Sequence, residues 1–320
     1  MTAKLWTFWA GVAVLAVLPF VLSESRTVQF ATVGAYFIAI LGLDVLGATG
    51  QVSLGNGAFV AIGAYTTAIL MAQHGVQDVK TIPVAAALAG GLGLVLGLPA
   101  LRLPGLYLAL TTFGVAVAFP TIPRKFDHFT GGSSGIDLLG RPTETWHGKG
   151  FWFLTNGAWL YALTWTLAVL SFVAAWLLVE SRFGQSLRAI RDSELAAAAS
   201  GLHRSAYKVA AFGISTAFAG LAGALLAIDA AEVRPGRYSV QLSLLLVVGA
   251  VVGLFGSIWG AALGALVIVF LPGTVGVLPN VDVGRAGPVT FFFGAVLVVL
   301  MLAVPLALRV KRGLVRGGGA

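Results

Sequence analysis

The sequence predicts an all-α protein, a polytopic transmembrane bundle of about ten helices, and three observations lead to this prediction. The 320-residue chain is 58% hydrophobic and only 10% charged, whereas soluble domains carry about 25% charged residues. The apolar residues are arranged in runs of roughly twenty, the length that crosses a bilayer. Glycine is abundant, at 42 residues, and small residues let membrane helices pack closely.

The candidate spans are 5–22, 27–48, 52–72, 82–101, 106–122, 157–179, 207–228, 242–255, 257–271 and 288–308. The pair 242–255 and 257–271 is separated by Gly256 alone, so it forms either two spans or one long broken helix. No small-x-small cleavage site precedes Ser23, and the first stretch is therefore predicted to be a retained helix. We expect the whole chain, 1–320, to form a single transmembrane domain.

The basic residues predict the orientation, because Lys and Arg concentrate in cytoplasmic loops. The net charge is +8, and the densest basic segments are 180–208 and 309–316. We therefore expect the loop at about 180–206 and both termini to lie in the cytoplasm, with the loop at about 123–150 outside. Positive charge scattered through short loops is typical of membrane topology, so nucleic-acid binding is not expected.

The sequence lacks the motifs of common active sites. No GxxxxGK[ST] motif is present to cradle ATP phosphates, no HExxH motif surrounds a histidine, and the chain has no cysteine. We expect no catalytic residue and no bound metal or cofactor. An intramembrane serine protease built from His128 with Ser133 or Ser134 is disfavoured, because all three lie in one polar loop rather than on facing elements.

Polar residues among glycines at the start of the 52–72 span indicate either the lining of a translocation pathway or a plain loop and helix start. Gln51, Ser53 and Asn56 lie there, and irregular backbone at membrane depth is tolerated only inside protein or beside a water-filled cavity. Asp44 is predicted to be a boundary residue facing headgroups or water, close to this pathway. We find no convincing buried carboxylate or histidine relay, which argues against a proton-coupled secondary transporter.

Glycines four residues apart predict close helix crossings near the end of the chain. Gly249 and Gly253 form one such pair, and Gly256, Gly260 and Gly264 form a second row. Glycines at this spacing share one helix face and let a neighbouring backbone approach. We expect tight packing in this region.

The 180–206 segment is predicted to contain a short cytoplasmic helix. Asp192 or Ser193 can cap its N-terminus, and Glu194 follows in the first turn, where the helix dipole favours an anion. The alanines that follow have high helix propensity, and Gly201 suits the C-terminal cap. A helix of about 10 Å is marginal in isolation, so either a docked partner or its own subunit must hold it.

This segment resembles the loop by which permeases of ABC importers engage their ATPases, through Glu194-x-Ala-Ala followed by Gly201. Further blocks resemble the second permease subunit of branched-chain amino acid ABC importers. They are Ser181-Arg-Phe-Gly, Arg188-Ala-Ile-Arg, Gly50-Gln-Val-Ser-Leu-Gly, Tyr107-Leu-Ala-Leu-Thr-Thr-Phe-Gly, Thr130-Gly-Gly-x-x-Gly-Ile and Gly253-x-x-Gly-Ser-Ile-Trp-Gly. The resemblance runs from about residue 30 to 305, with departures at Asp44 and Asn56, where the family usually has Asn and His.

The resemblance implies one subunit of a heteromeric importer in a bacterial cytoplasmic (inner) membrane. Its partners would be a second permease subunit, two cytoplasmic ATPase subunits that hydrolyse ATP, and an extracytoplasmic substrate-binding protein. The implied solute is a branched-chain amino acid, although related permeases carry urea, amides or aromatic acids. Outside the family, the alternative is a stand-alone secondary transporter or channel.

The resemblance and the residue patterns together give two sets of candidate site residues. The expected ATPase-coupling residues are Arg188, Arg191, Glu194, Ala196, Ala197 and Gly201. The expected pathway residues are Asp44, Gln51, Ser53, Asn56, Tyr107, Thr111 and Thr112.

Overall fold

The computed structural model describes residues 18–19, 22–100, 105–138 and 156–275. The predicted span 288–308, most of the predicted span 5–22 and the basic segment 309–316 lie outside these residues.

Helices make up nearly all of the described structure. In chain order they are α1 (Glu24–Gly47), α2 (Asn56–His74), α3 (Asp78–Ala100), α4 (Gly105–Ala118), α5 (Thr121–Lys125), α6 (Asp127–Thr130), α7 (Asn156–Glu180), α8 (Arg182–Asp192), α9 (Glu194–Ala199), α10 (Arg204–Ala230), α11 (Val240–Val252) and α12 (Ala261–Val275). Each predicted span within the described residues corresponds to one of these helices, which confirms the predicted all-α bundle. By length and composition, α1, α3, α7 and α10 are suited to cross a membrane.

Helices α1 and α10 form the centre of the bundle. Helix α10 packs against α1, α2 and α3, while α1 also packs against α7 and α12. Small residues make these contacts close: a Cβ atom on Gly63 of α2 would overlap the backbone of Gly220 in α10, and one on Gly223 would overlap the backbone of Val60. Leucines and valines of α3 and α7, by contrast, are exposed on the outside of the bundle, where lipid accepts apolar surface without penalty.

The α11–α12 pair resolves the alternative left open by the sequence, because it forms two helices folded into an antiparallel hairpin. Gly249 faces Gly264 and Gly253 faces Gly260, each pair so close that a Cβ atom would overlap the opposite backbone. This confirms the predicted tight packing. With 13 residues, α11 is about 20 Å long and falls short of the roughly 30 Å hydrocarbon core. The turn between the arms contains Gly256 with a φ of 83°.

A two-stranded antiparallel sheet lies at one end of the bundle. Strand β1 (Ile136–Asp137) pairs with β2 (Glu232–Val233). The chain enters β1 through a turn that contains the left-handed glycines Gly131 and Gly132. A 3-10 helix, Pro235–Tyr238, follows β2. The sheet places the loop after α6 and the connection after α10 on the same side of the bundle.

Candidate coupling and translocation site

Helix α8 is an amphipathic helix in a segment that was predicted to be a loop. The Ser181 hydroxyl accepts a hydrogen bond from the Gly184 N–H and caps its N-terminus. Leu187 and Ile190 are buried on its inner face. With Phe183, they follow the spacing of one helix face, so the missed helix had a signal in the sequence. We refer to α8 and α9 together as the coupling foot.

Helix α9 is the short helix predicted from Ser193, Glu194 and the alanines. The Ser193 hydroxyl accepts a hydrogen bond from the Ala196 N–H at 3.2 Å, and Gly201 adopts a left-handed φ of 83° just beyond the end. Ala197 is buried, whereas Leu195 is 81% exposed. The foot therefore presents one apolar side chain outwards while it rests on its own subunit through Ala197.

Glu194 forms ion pairs within its own chain. Its carboxylate accepts a hydrogen bond from the Nζ atom of Lys208 and lies 3.5 Å from the guanidinium of Arg204. Lys208 is only 5% exposed, and a buried ammonium needs a partner of opposite charge. Glu194 therefore fastens the first turn of α9 to the first turns of α10.

The two predicted arginines of α8 both contact neighbouring segments of the chain. The Arg188 guanidinium donates to the carbonyl oxygen of Val179 and so satisfies an acceptor at the end of α7, where carbonyls lack helical partners. The side chain of Arg191 lies over Gly50, where a Cβ atom would be 2.8 Å from the Arg191 Cγ atom. Arg191 therefore links the coupling foot to the polar segment between α1 and α2.

The polar segment 49–56 is buried at the start of α2. Neither amide atom of Gln51 has a hydrogen-bond partner among the described residues, although Gln51 is buried. The Asn56 Nδ2 atom donates to the Ser215 hydroxyl at 3.2 Å, while its Oδ1 atom has no partner there. Buried amides are normally paired, so Gln51 and Asn56 retain unused hydrogen-bonding capacity inside the bundle.

Two further hydroxyls fix this segment. The Thr112 Oγ1 atom in α4 accepts from the Leu54 N–H at 3.0 Å, and the Ser243 hydroxyl in α11 accepts from the Gly57 N–H at 3.0 Å. Ser53 is fully buried, and its hydroxyl accepts from the Gly55 N–H at 3.2 Å. Side chains from α4, α10 and α11 therefore meet around the irregular backbone that leads into α2.

Of the remaining pathway candidates on α4, Thr111 is not brought into this cluster. Thr111 is exposed, whereas the neighbouring Thr112 is buried. Tyr107 lies within α4, but its side chain lies outside the part of the chain that the structure describes.

Asp44 is buried, so the prediction that it faces headgroups or water is wrong. It is 1% exposed, and its Oδ1 atom accepts a hydrogen bond from the Gly256 N–H at 2.9 Å. The tip of the α11–α12 hairpin covers it, with Phe255 against Gly47. The premise that the chain lacks a buried carboxylate is therefore wrong as well, and it cannot count against a secondary transporter.

Comparisons with known proteins decide between these classes. The family model described as "Branched-chain amino acid transport system / permease component" matches residues 6–305. The chain belongs to this family. It is 34% identical over 289 residues to the "High-affinity branched-chain amino acid transport system permease protein LivM" of Escherichia coli (strain K12), covering 84% of this chain and 68% of the relative. The protein of the same name from Salmonella typhimurium is 33% identical over 291 residues, with the same coverage of both chains. No solved structure matches the chain.

The permease is thus a multi-pass membrane protein of an ABC importer family, as the resemblance implied. Lys208, Ser215 and Ser243 are residues of this permease that the sequence analysis missed. Lys208 lies at the start of an apolar run, and Glu194 lies fourteen positions before it. Because a buried lysine needs an acidic partner, the sequence offered Glu194 as a candidate. The two serines are single small residues in apolar helices, and nothing in the sequence distinguishes them. No group of three metal-ligating side chains is found within the described ranges.

Proposed function

We propose that this permease imports branched-chain amino acids across the cytoplasmic (inner) membrane of a bacterium as a subunit of an ATP-driven importer. The observation that carries the proposal is the family match over residues 6–305. The buried polar segment between α1 and α2 supports a solute path through the bundle. The whole chain, 1–320, acts as a single permease domain in this proposal.

The proposed assembly has four kinds of partner. A second permease subunit completes the path, two cytoplasmic ATPase subunits drive it, and an extracytoplasmic binding protein delivers the solute, while lipid surrounds the bundle. The chain carries no phosphate-cradling motif, so ATP is hydrolysed by the partners. The permease itself holds no cofactor or metal and has no enzymatic activity.

The proposed orientation places the coupling foot and both termini in the cytoplasm and the β1–β2 sheet outside. The basic segment 180–208 supports this orientation. Helix α10 also supports it, because it separates the foot from the sheet by about 30 Å between Lys208 and Asp229. Cysteine accessibility tests it, since the chain has no native cysteine. A cysteine at Ser134 should react with an impermeant maleimide from outside, and one at Gln185 should not; the reverse pattern contradicts the orientation.

The proposed coupling residues are those of the foot. Ala196, Ala197 and Gly201 set the shape of α9, while Glu194 fixes its start. Arg188 anchors α8 to α7. Arg191 lies over Gly50, so a displacement of the foot by an ATPase would reach the polar segment directly.

The proposed pathway includes Gln51, Ser53 and Asn56, and Asp44 beside them. Their burial and the unpartnered amide atoms of Gln51 and Asn56 support this assignment. Tyr107, Thr111 and Thr112 of α4 complete the proposed set, with Thr112 positioning the backbone of the segment and Thr111 facing the second permease.

A matched pair of glycine variants tests the coupling. Gly201 and Gly75 both have positive φ with no atom within 4 Å of an added Cβ atom, so replacing either by Val imposes a similar strain, roughly 1 kcal/mol or more. Only Gly201 lies at the foot. We expect Gly201→Val to abolish leucine uptake at near-normal abundance, and Gly75→Val to transport normally. Equal transport by both variants would contradict the coupling role.

Uptake by the reconstituted importer tests the substrate. Proteoliposomes that contain the permease, its ATPases and its second permease should accumulate labelled leucine when binding protein and ATP are supplied. If the proteoliposomes accumulate urea, amides or aromatic acids but not leucine, that solute replaces branched-chain amino acids as the proposed substrate class. Leucine movement by this chain alone, without an ATPase, would favour the stand-alone transporter.

A further inference from the structure

Three oxygen atoms are buried without partners at the end of the bundle opposite the coupling foot. They are the hydroxyls of Tyr65 and Tyr238 and the Oδ1 atom of Asp229, and none has a hydrogen-bond partner among the described residues. Tyr65 is 5% exposed and Tyr238 is 2% exposed. Buried polar groups are almost always paired, and exceptions mark a functional site, an unseen water or a bound molecule.

The three groups belong to one cluster although they come from different elements. Tyr65 lies in α2, Tyr238 ends the 3-10 helix, and Asp229 lies in the last turn of α10. The rings of Tyr65 and Tyr238 are 6.4 Å apart, and the short connection through β2 and the 3-10 helix joins Asp229 to Arg237 and Tyr238. Thr32 of α1 donates to the other Asp229 oxygen at 2.8 Å and holds the carboxylate in place.

Arg237 supplies the positive charge of the cluster. Its guanidinium makes no side-chain hydrogen bond within the described residues and lies 3.8 Å from Glu232, which pairs more closely with Arg234 at 2.9 Å. The Arg237 side chain is 54% exposed, so its donors face the solvent side of the cluster. A planar guanidinium with unused donors is suited to bind a carboxylate in a bidentate manner.

Aromatic surface completes the arrangement. The Phe119 ring lies 6.4 Å from that of Tyr65, and Tyr65 lies between Phe119 and Tyr238. Burial raises the pKa of the Tyr238 phenol, so its hydroxyl remains a neutral donor. Aromatic faces of this kind bind apolar side chains while their hydroxyls bind polar atoms.

We propose that Tyr65, Asp229, Arg237 and Tyr238 form a receiving site for a zwitterionic α-amino acid with an apolar side chain. Asp229 binds the ammonium group, Arg237 binds the carboxylate, and the rings of Tyr65 and Phe119 contact the side chain. The Tyr238 hydroxyl donates to the carboxylate beside Arg237. The site deepens the proposed function, on which it rests, because urea and simple amides carry neither charge and would not be bound.

Binding to the permease itself tests the site. The assembled permease–ATPase complex in nanodiscs, without binding protein, is titrated with leucine and followed by saturation-transfer NMR. A charge-assisted hydrogen bond contributes about tenfold or more to binding. We therefore expect Asp229→Asn and Arg237→Gln each to raise the half-saturating leucine concentration about tenfold, and Tyr238→Phe to raise it by a smaller factor.

Matched controls separate the site from general charge effects. Arg234→Gln removes an arginine of the same segment, and we expect it to change leucine binding less than twofold. Two leucine fragments, 3-methylbutan-1-amine without the carboxylate and 4-methylpentanoate without the ammonium group, should each bind about tenfold more weakly than leucine to the unmodified complex. In the Arg237→Gln variant leucine should lose its advantage over the amine.

The possible outcomes distinguish the site from the proposed function. The proposed site is wrong if leucine binding is unchanged in all three variants, Asp229→Asn, Arg237→Gln and Tyr238→Phe, and all three elute as intact complexes. Water would then occupy the cluster. If the unmodified importer still accumulates leucine in that case, the proposed function stands without the site. Equal binding of leucine and its two fragments also overturns the site.

Discussion

The ion pair between Glu194 and Lys208 is expected to hold the coupling foot, and its removal is the sharpest test of this part of the molecule. Lys208 is 5% exposed, and among the described residues Glu194 is its only ionic partner. The change Glu194→Ala leaves the ammonium group buried without a counter-charge. A fully buried pair broken in this way costs about 3–5 kcal/mol.

The cost is smaller here because the pair is partly open to solvent. The Glu194 side chain is 53% exposed, so water screens the interaction, and we expect about 1–2 kcal/mol. That energy corresponds to roughly a five- to thirtyfold change in an equilibrium population. Helix α9 has six residues and no independent stability, so the loss appears as undocking of α9 from α10.

A double-mutant cycle measures the effect. We expect Glu194→Ala to lower ATP-driven leucine uptake at least fivefold, in line with the loss of docked α9. Lys208→Met removes the buried charge, so the double variant should transport better than Glu194→Ala alone. A spin label on Leu195→Cys, in a chain without native cysteine, should gain mobility in Glu194→Ala and lose that gain in the double variant.

The control for this cycle is Asp192→Ala. Asp192 lies 3.5 Å from Arg191, and both side chains are largely exposed, so this pair contributes little and uptake should change less than twofold. Uptake by Glu194→Ala within twofold of the unmodified permease would refute the reasoning, and so would strictly additive losses in the double variant.

Two further predictions concern the packing of the bundle. Gly63→Ala should lower the yield of folded permease on size exclusion, because its Cβ atom would overlap the Gly220 backbone at a cost of about 1–3 kcal/mol; Gly91→Ala, with open space around the added atom, should not. Asp44→Asn keeps an acceptor for the Gly256 N–H and should leave the melting temperature nearly unchanged, whereas Asp44→Leu leaves that donor unpaired and should lower stability by about 1–3 kcal/mol. Equal melting temperatures for the two Asp44 variants would show that this hydrogen bond does not hold the hairpin tip.

The bundle could be predicted because its signals are local. Span length depends only on runs of apolar residues, and the helix caps at Ser193 and Gly201 depend on residues within a few positions. The close packing of Gly249 against Gly264 was also predictable, because glycines four residues apart permit close approach of any neighbouring backbone. The sequence did not specify which element that neighbour would be.

The burial of Asp44 could not be predicted, because its hydrogen-bond partner, Gly256, is 212 residues away. The position of Asp44 near the end of the predicted span 27–48 also suggested that it faces water. The tip of the α11–α12 hairpin covers it instead. The pairing of Glu194 with Lys208 was not predicted for a different reason. The short helix was expected to be held by a docked partner or by its own subunit, and neither expectation specified a residue. The open amide positions on Gln51 and Asn56 depend on side-chain geometry that no pattern specifies.

The small β1–β2 sheet constrains how the chain is assembled during synthesis. Ile136 pairs with Val233, so the strand after α6 has no partner until both α7 and α10 have left the ribosome and entered the bilayer. The sheet can therefore close only after all four helices from α7 to α10, which lie between its strands, have been made. A nascent chain that placed α7 or α10 the wrong way round would leave its strands on opposite sides of the membrane, unable to meet.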